Sequence, residues 1–272
     1  MCGRYVNISK LSEIEKRFKV KGKKGQKNPP NPNVSLGEYA PIITGGASKQ
    51  IEFFQFGLCP HWAKKRTYQI NARGEGSYNL NNDSNYIGVQ GIFEKPMFQE
   101  SIRERRCIVV ADAFIEGPEN TGLDRPFLIY KKDKRRPFAM AGIWDEWIDP
   151  QSGEHIQSFA ILTTVSNPLL QKINHHRSPV ILDRETESTW LNTQSSEQEI
   201  SDLLQPFDSN EFNGYPISPV IKSPKAKGMN LLMPAGPRLY KNHSYELYTD
   251  VRSEIVIPTS ITVNMGVQQS LF

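Results

Sequence analysis

Cysteine stands at position two, in Met1-Cys2-Gly3-Arg4-Tyr5. It is small enough for the initiator methionine to be removed ahead of it. The product would carry an amine with a pKa near ~7.7–8.0 and a thiol near ~8.5 on adjacent carbons. Such a 1,2-aminothiol condenses with an aldehyde to an imine and closes to a five-membered thiazolidine. It could equally serve as an N-terminal nucleophile, the amine acting as base for its own thiol. A third possibility is an incidental residue at that position, and Cys2 alone leaves all three open. The other two cysteines, Cys59 and Cys107, make no CxxC pair with it. A sparse, odd set argues against a disulfide framework or zinc site and for a reducing, cytoplasmic setting.

The elements that could position this chemistry are mostly strands. Alternating or continuous apolar runs predict strands at Ile51 to Leu58, Arg106 to Ala111, Pro126 to Lys131 and Phe138 to Ile143. Further strands are predicted at Ser158 to Val165, Val180 to Leu182 and Tyr215 to Ile221. Ile8, Leu11, Ile14 and Phe18 recur at helical spacing and predict a helix in the early teens. Glu185 to Leu191 and Ser196 to Leu204 also read as helices, the second opening on a Ser196–Glu199 capping box. Lys21 to Lys27 and the proline-rich Asn28 to Pro32 read as loop. Strands without a βαβ rhythm predict an α+β fold with antiparallel sheets.

The chain has 272 residues, 38% of them apolar, and a net charge of +4. It can bury a sizeable core without a metal or disulfide staple. No apolar run reaches the length of a membrane span, and the first residues show no apolar signal region. Basic residues cluster at Arg103 to Arg106, Lys131 to Arg136 and Lys222 to Lys227. Any single cluster is most simply solvated surface charge.

Six segments, in order, resemble the SOS response-associated peptidase (SRAP) family. Met1 to Tyr5 is similar to its start, and Phe56-Gly57-Leu58-Cys59-Pro60-His61-Trp62-Ala63-Lys64 to its WGLIPxWAK segment. Asn71-Ala72-Arg73-Gly74-Glu75 matches its NARxE. Arg105 to Glu116 is similar to RRCLxPADGFYE, Ala141 to Trp144 to AGLW, and His175 to Leu182 to HxRMPVIL. The resemblance implies one domain over residues 2–222, of twisted, barrel-like antiparallel sheets with flanking helices, followed by an extension over 223–272.

It also implies a function: capture of abasic sites in single-stranded DNA, including single-to-double-strand junctions, as a Cys2 thiazolidine after loss of Met1. Reversal and strand-nicking lyase activity are open to the same imine. A thiol peptidase and a non-covalent reader of modified DNA are the alternatives. Carried over residue by residue, Cys2 attacks, Asn71 holds the reacting groups, and Glu116 and His175 transfer protons. Arg4, Arg73 and Arg177 would grip phosphates while Trp62 stacks on a base. Plainer roles compete: Trp62 as core, Arg73 paired with Glu75, His175 as structural. Gly117 stands where the family usually has Trp, Ala113 where it has Gly, and Ser178 where Met or Arg is usual. No metal or cofactor is implied, and the protein is expected to act as a monomer. The final Gln268-Gln269-Ser270-Leu271-Phe272 resembles the peptide by which bacterial partners enter the replication sliding clamp, with Gln268 as polar hook and Leu271 and Phe272 as apolar anchors.

Overall fold

A computed structural model describes residues 3–45 and 49–252. Cys2 and the Gln268, Leu271 and Phe272 tail lie outside the described residues. Among the described residues thirteen strands run β1 (Arg4–Asn7), β2 (Asn31–Val34), β3 (Tyr39–Thr44), β4 (Gln50–Phe56), β5 (Asn71–Arg73), β6 (Arg106–Ala111) and β7 (Ala113–Glu116). They continue as β8 (Phe127–Lys131), β9 (Phe138–Ile148), β10 (His155–Val165), β11 (Arg177–Pro179), β12 (Ile181–Leu182) and β13 (Phe212–Pro216). The described residues also form six short helices: α1 (Leu11–Phe18), α2 (Gln99–Glu104), α3 (Pro168–Gln171), α4 (Glu187–Leu191), α5 (Glu197–Asp202) and α6 (Leu247–Arg252).

One sheet has the order β11-β10-β4-β3-β6-β9-β12. Because β9 also pairs with β10, five of its strands, β10, β4, β3, β6 and β9, close into a barrel. A second, open sheet has the order β13-β8-β7-β1-β2. The α+β class and barrel-like core expected from the sequence are therefore present. The sheets are not wholly antiparallel, however: β10 runs parallel to both β4 and β5.

Alternation explains the layering. Along β6, Ile108 and Val110 point into a cluster with Ile14, Phe18, Trp190 and Ile200 of the helices. The intervening Cys107, Val109 and Ala111 point into a second cluster, with Tyr5, Phe114, Ile129 and Phe212 of the open sheet. A strand buried on both faces reads as a continuous apolar run, which is why β6 is plain in the sequence. The open sheet's other face, through Val6, Ile115, Leu128, Tyr130 and Tyr215, packs on Leu231, Leu232, Leu247 and Val251. The stretch from 223 to 252 thus lies against the domain.

Several local expectations shift. The loop foreseen at Asn28 to Pro32 runs into β2, which begins at Asn31. The strand foreseen at Tyr215 to Ile221 is Phe212–Pro216, and a 3₁₀ turn, Pro219–Lys222, follows. Pro216 and Pro219 lack the N–H that further pairing would need. The helix foreseen from Glu185 starts at Glu187, whereas Ser196 and Glu199 form the capping box foreseen for α5.

Candidate active site

The N-terminal strand is tied down before it reaches the site. Asp112, in the turn between β6 and β7, accepts hydrogen bonds from the backbone N–H of Ile8 (2.6 Å) and Ser9 (2.9 Å) and from Ser9 Oγ (2.5 Å). Its own N–H donates to Val6 O at 2.8 Å. Charged acceptors shared by several donors hold a backbone firmly. β1 then pairs antiparallel with β7, Arg4 opposite Ile115. Glu116 is the next residue along β7, on the same face as Phe114 and so turned toward the barrel. Gly3, the first described residue and the neighbour of Cys2, lines the same cavity as Glu116.

His175 arrives from the other sheet. Asn167 caps α3, its side chain accepting from Leu170 N at 3.1 Å, and the turn that follows brings His175 N to Leu170 O at 3.0 Å. Two residues later β11 begins, pairing with the end of β10. His175 and Glu116 meet with Nε2 and Oε2 3.2 Å apart, both side chains 5% exposed. His175 Nδ1 lies 2.7 Å from Gly117 O. A carbonyl can only accept, so Nδ1 carries a hydrogen. Burial, opposed in part by this Gly117 bond, holds the His175 imidazole down at about 4, so the neutral ring dominates at neutral pH. Its Nε2 is then an acceptor facing a carboxyl oxygen. The two groups are within reach of a proton exchange, and a backbone carbonyl fixes the imidazole tautomer.

The cavity beside this pair has a volume of about 210 Å³ and is lined by Gly3, Arg4, Glu116, Gly117, His175 and His176, among others. That is below the ~300–1,000 Å³ typical of sites for drug-sized ligands and suits one small polar group. Gly117 has a structural reason to be glycine. A Cβ there would lie 1.8 Å from Gly122 O, so the loop from 117 to 125 can fold over the site only without a side chain at that position.

Of the other expected residues among those described, Arg4 alone lines this cavity. Arg4 is half-buried and donates from Nη2 to Lys222 O at 2.9 Å, while its Nη1 has no hydrogen-bond partner among the described residues. Burial lowers its pKa. Asn71 heads β5, half-buried opposite Ile161, and is not among the residues lining the cavity. Arg73, two residues on, donates to Asn79 O at 2.5 Å. Burial first, then the nearby Arg177 charge, lowers its pKa. Arg73 does not hold Glu75: the ion pair is Arg177–Glu75. Arg177 Nη1 and Nη2 donate to the two Glu75 oxygens at 2.7 and 2.8 Å, with both side chains at 2% exposure or less. Arg177 is therefore committed inside the protein, where sequence placed it on a phosphate. Trp62 is 52% exposed, which excludes the plainer role in the core. The sequence offers Glu75 only as a partner for Arg73, and the Gly117 carbonyl not at all. The signal for Glu75 was its place in the NARxE segment; a carbonyl leaves none.

A buried acid–imidazole pair over a small polar cavity, with the half-buried Arg4 beside it, is an arrangement that can pass protons to and from a small group. The chain belongs to the SOS response associated peptidase (SRAP) family, whose model matches residues 1–224. It is similar to Abasic site processing protein YoqW of Bacillus subtilis (strain 168), 30% identical over 238 residues, covering 85% of this chain and 99% of the relative. It is also similar to Abasic site processing protein HMCES of Rattus norvegicus, 32% identical over 212 residues, covering 66% of this chain and 56% of the relative. Among solved structures, a Bacteroides thetaiotaomicron protein aligns with a TM-score of 0.71 at 30% identity, covering 86% of this chain and 100% of that one. A Bordetella bronchiseptica protein, at 19% identity and TM-score 0.63, shares the fold; 80% of this chain and 100% of that one are covered.

Proposed function

We propose that this protein processes abasic sites in DNA, capturing the ring-opened sugar on Cys2 after Met1 is removed. The observation that carries the proposal is the Glu116–His175 pair, sharing one cavity with the residue bonded to Cys2. The relatives named for abasic-site processing agree with it. In this reading the Cys2 amine adds to the C1′ aldehyde, giving a carbinolamine. A proton passed through Glu116 and His175 goes to the departing hydroxyl, which leaves as water, and the N–H proton of the nitrogen returns to the pair, yielding the imine. The Cys2 sulfur then adds to the imine carbon, its proton passes to the nitrogen by way of the pair, and the thiazolidine ring closes. General acid–base catalysis of this kind contributes ~10²–10⁴-fold.

Asn71 orients the reacting groups without titrating. Arg4 and Arg73 meet flanking phosphates, and Trp62 stacks on a base in any sequence context. Arg177 serves as a positioning residue, bracing Glu75 two residues before β11 ends. Because Nε2 must both give and take a proton, reversal of the adduct is available to the same groups.

The test uses single-stranded DNA containing uracil, treated with a uracil glycosylase and incubated with purified protein. A denaturing gel should show a shifted band for wild type and none for Cys2→Ala, and intact mass should show Met1 absent. A wild-type band that persists in Cys2→Ala, or active protein that retains Met1, overturns the proposal. Turnover of a peptide without DNA would favour a thiol peptidase in its place.

A further inference from the structure

The basic run Lys131 to Arg136 has no part in the chemistry above, yet the fold arranges it with care. Lys132 Nζ lies 4.6 Å from the centroid of the Tyr240 ring, and Lys172 Nζ lies 4.8 Å from the same centroid. Lys134 Nζ lies 4.9 Å from the Tyr245 ring. Their neighbours are neutralised: Lys131 pairs with Glu211, Arg135 with Asp133 and Arg238 with Glu246. Lys132, Lys134 and Lys172 have no carboxylate within salt-bridge distance among the described residues.

Both tyrosines are held in place. The buried Asn213 side chain brackets the Tyr240 backbone, donating to its carbonyl at 2.9 Å and accepting from its N–H at 3.0 Å. Tyr245 O accepts from Tyr130 Oη, and Tyr245 Oη donates to Asp250, each at 2.8 Å. These rings come from residues past 224, where the family match ends.

Two ammonium groups over one ring concentrate positive charge at the Tyr240 side chain. Burial already pulls the Lys132 ammonium below its usual pKa, against the opposing effect of Asp208. An anion placed among the lysines supplies the counter-charge that the described carboxylates do not. The patch is also joined to the active site: Lys172 sits in the turn that delivers His175, where Asn174 N bonds Gln171 O at 2.9 Å.

We propose that Lys132, Lys134 and Lys172, presented by Tyr240 and Tyr245, bind the phosphates of a nucleic-acid strand running on from the Glu116–His175 cavity. Lysine acts on phosphate as a point charge and reads no base. The patch therefore lengthens the footprint without adding sequence preference. This inference rests on the reading that nucleic acid is what enters the cavity.

The test is non-covalent binding of the full chain carrying Cys2→Ala, with and without Lys132→Gln and Lys172→Gln, over a salt series. Two single strands are compared, one just filling the cavity and one long enough to reach the lysines. For the long strand, losing two phosphate contacts should flatten the plot of log K against log salt by about 1.4, at ~0.7 per contact. The short strand should show no change. Tyr240→Phe should behave as the parent, and Tyr240→Ala should lose slope with the long strand only. An unchanged long-strand slope in the double lysine variant overturns the patch and turns attention to an acidic protein partner. The wild-type denaturing-gel band is read separately. A missing band with a reduced slope sinks the capture chemistry and leaves the patch standing.

Discussion

Replacing Arg177 by methionine separates a brace from a DNA contact. Its guanidinium makes two hydrogen bonds, of 2.7 and 2.8 Å, to Glu75, and neither side chain is more than 2% exposed. Removing the cation leaves the Glu75 charge buried without its partner, which costs about 3–5 kcal/mol. At roughly 2–4 °C per kcal/mol for a chain near this size, the melting temperature should fall by about 6–20 °C. Replacing both residues, Arg177→Met with Glu75→Met, removes the stranded charge, so the double variant should be more stable than either single one. Urea unfolding of the three variants, read at constant m value, gives the coupling. The reasoning fails if Arg177→Met melts within about 1 kcal/mol of wild type while its DNA affinity collapses. That pattern would make Arg177 a phosphate ligand, as its sequence context first suggested.

Stability should also follow pH through His175. Its folded pKa, about 4, lies below the ~6.5 of an unfolded chain, so between these values the unfolded state binds more protons. The contribution is complete above about 6.5 and is lost as pH falls toward about 4, on the order of a few kcal/mol. Melting temperatures of wild type and His175→Gln should diverge in slope across that window, and parallel curves would refute the assignment. Gly117→Ala puts a methyl group 1.8 Å from Gly122 O and should destabilise by about 1–3 kcal/mol or more, with loss of adduct on the denaturing gel. A fully active, equally stable variant would show that the loop is placed otherwise. Trp62→Ala, at an exposed position, should keep stability within about 0.5 kcal/mol yet weaken single-strand binding by about 1–3 kcal/mol in a titration. Deleting residues 268–272 should abolish capture of the protein on immobilised sliding clamp, and equal capture of both forms would remove that idea.

The long apolar strands were legible because burial on one or both faces leaves a pattern in the residues themselves. β4, β6 and β8 came out close to their observed bounds. β1, β2 and β5 did not, since Arg4–Asn7 and Asn31–Val34 are short and polar and Asn71–Arg73 has only three residues. They are strands because of the partners they meet, and those partners lie far away in sequence. The parallel pairing of β4 with β10 has the same character.

The site divides in the same way. Residue types pointed to Glu116 and His175 through the family motifs, but their 3.2 Å approach depends on two sheets converging. Arg177 looks identical in sequence whether it faces a phosphate or Glu75, and only a partner 102 positions away decides. No side-chain pattern encodes the Gly117 carbonyl, although it leaves Nε2 as the imidazole nitrogen that accepts.

Ring closure between β9 and β10 leaves few strands at a margin, and those few are poor templates. Among the described residues, β2 contains Pro32, β11 ends in Pro179, β13 ends in Pro216, β5 has three residues and β12 only two. Proline has no hydrogen to offer an incoming chain, and two residues make too short a ladder to seed one. A molecule with so many long hydrophobic staves is thereby protected against stacking edge to edge with its neighbours.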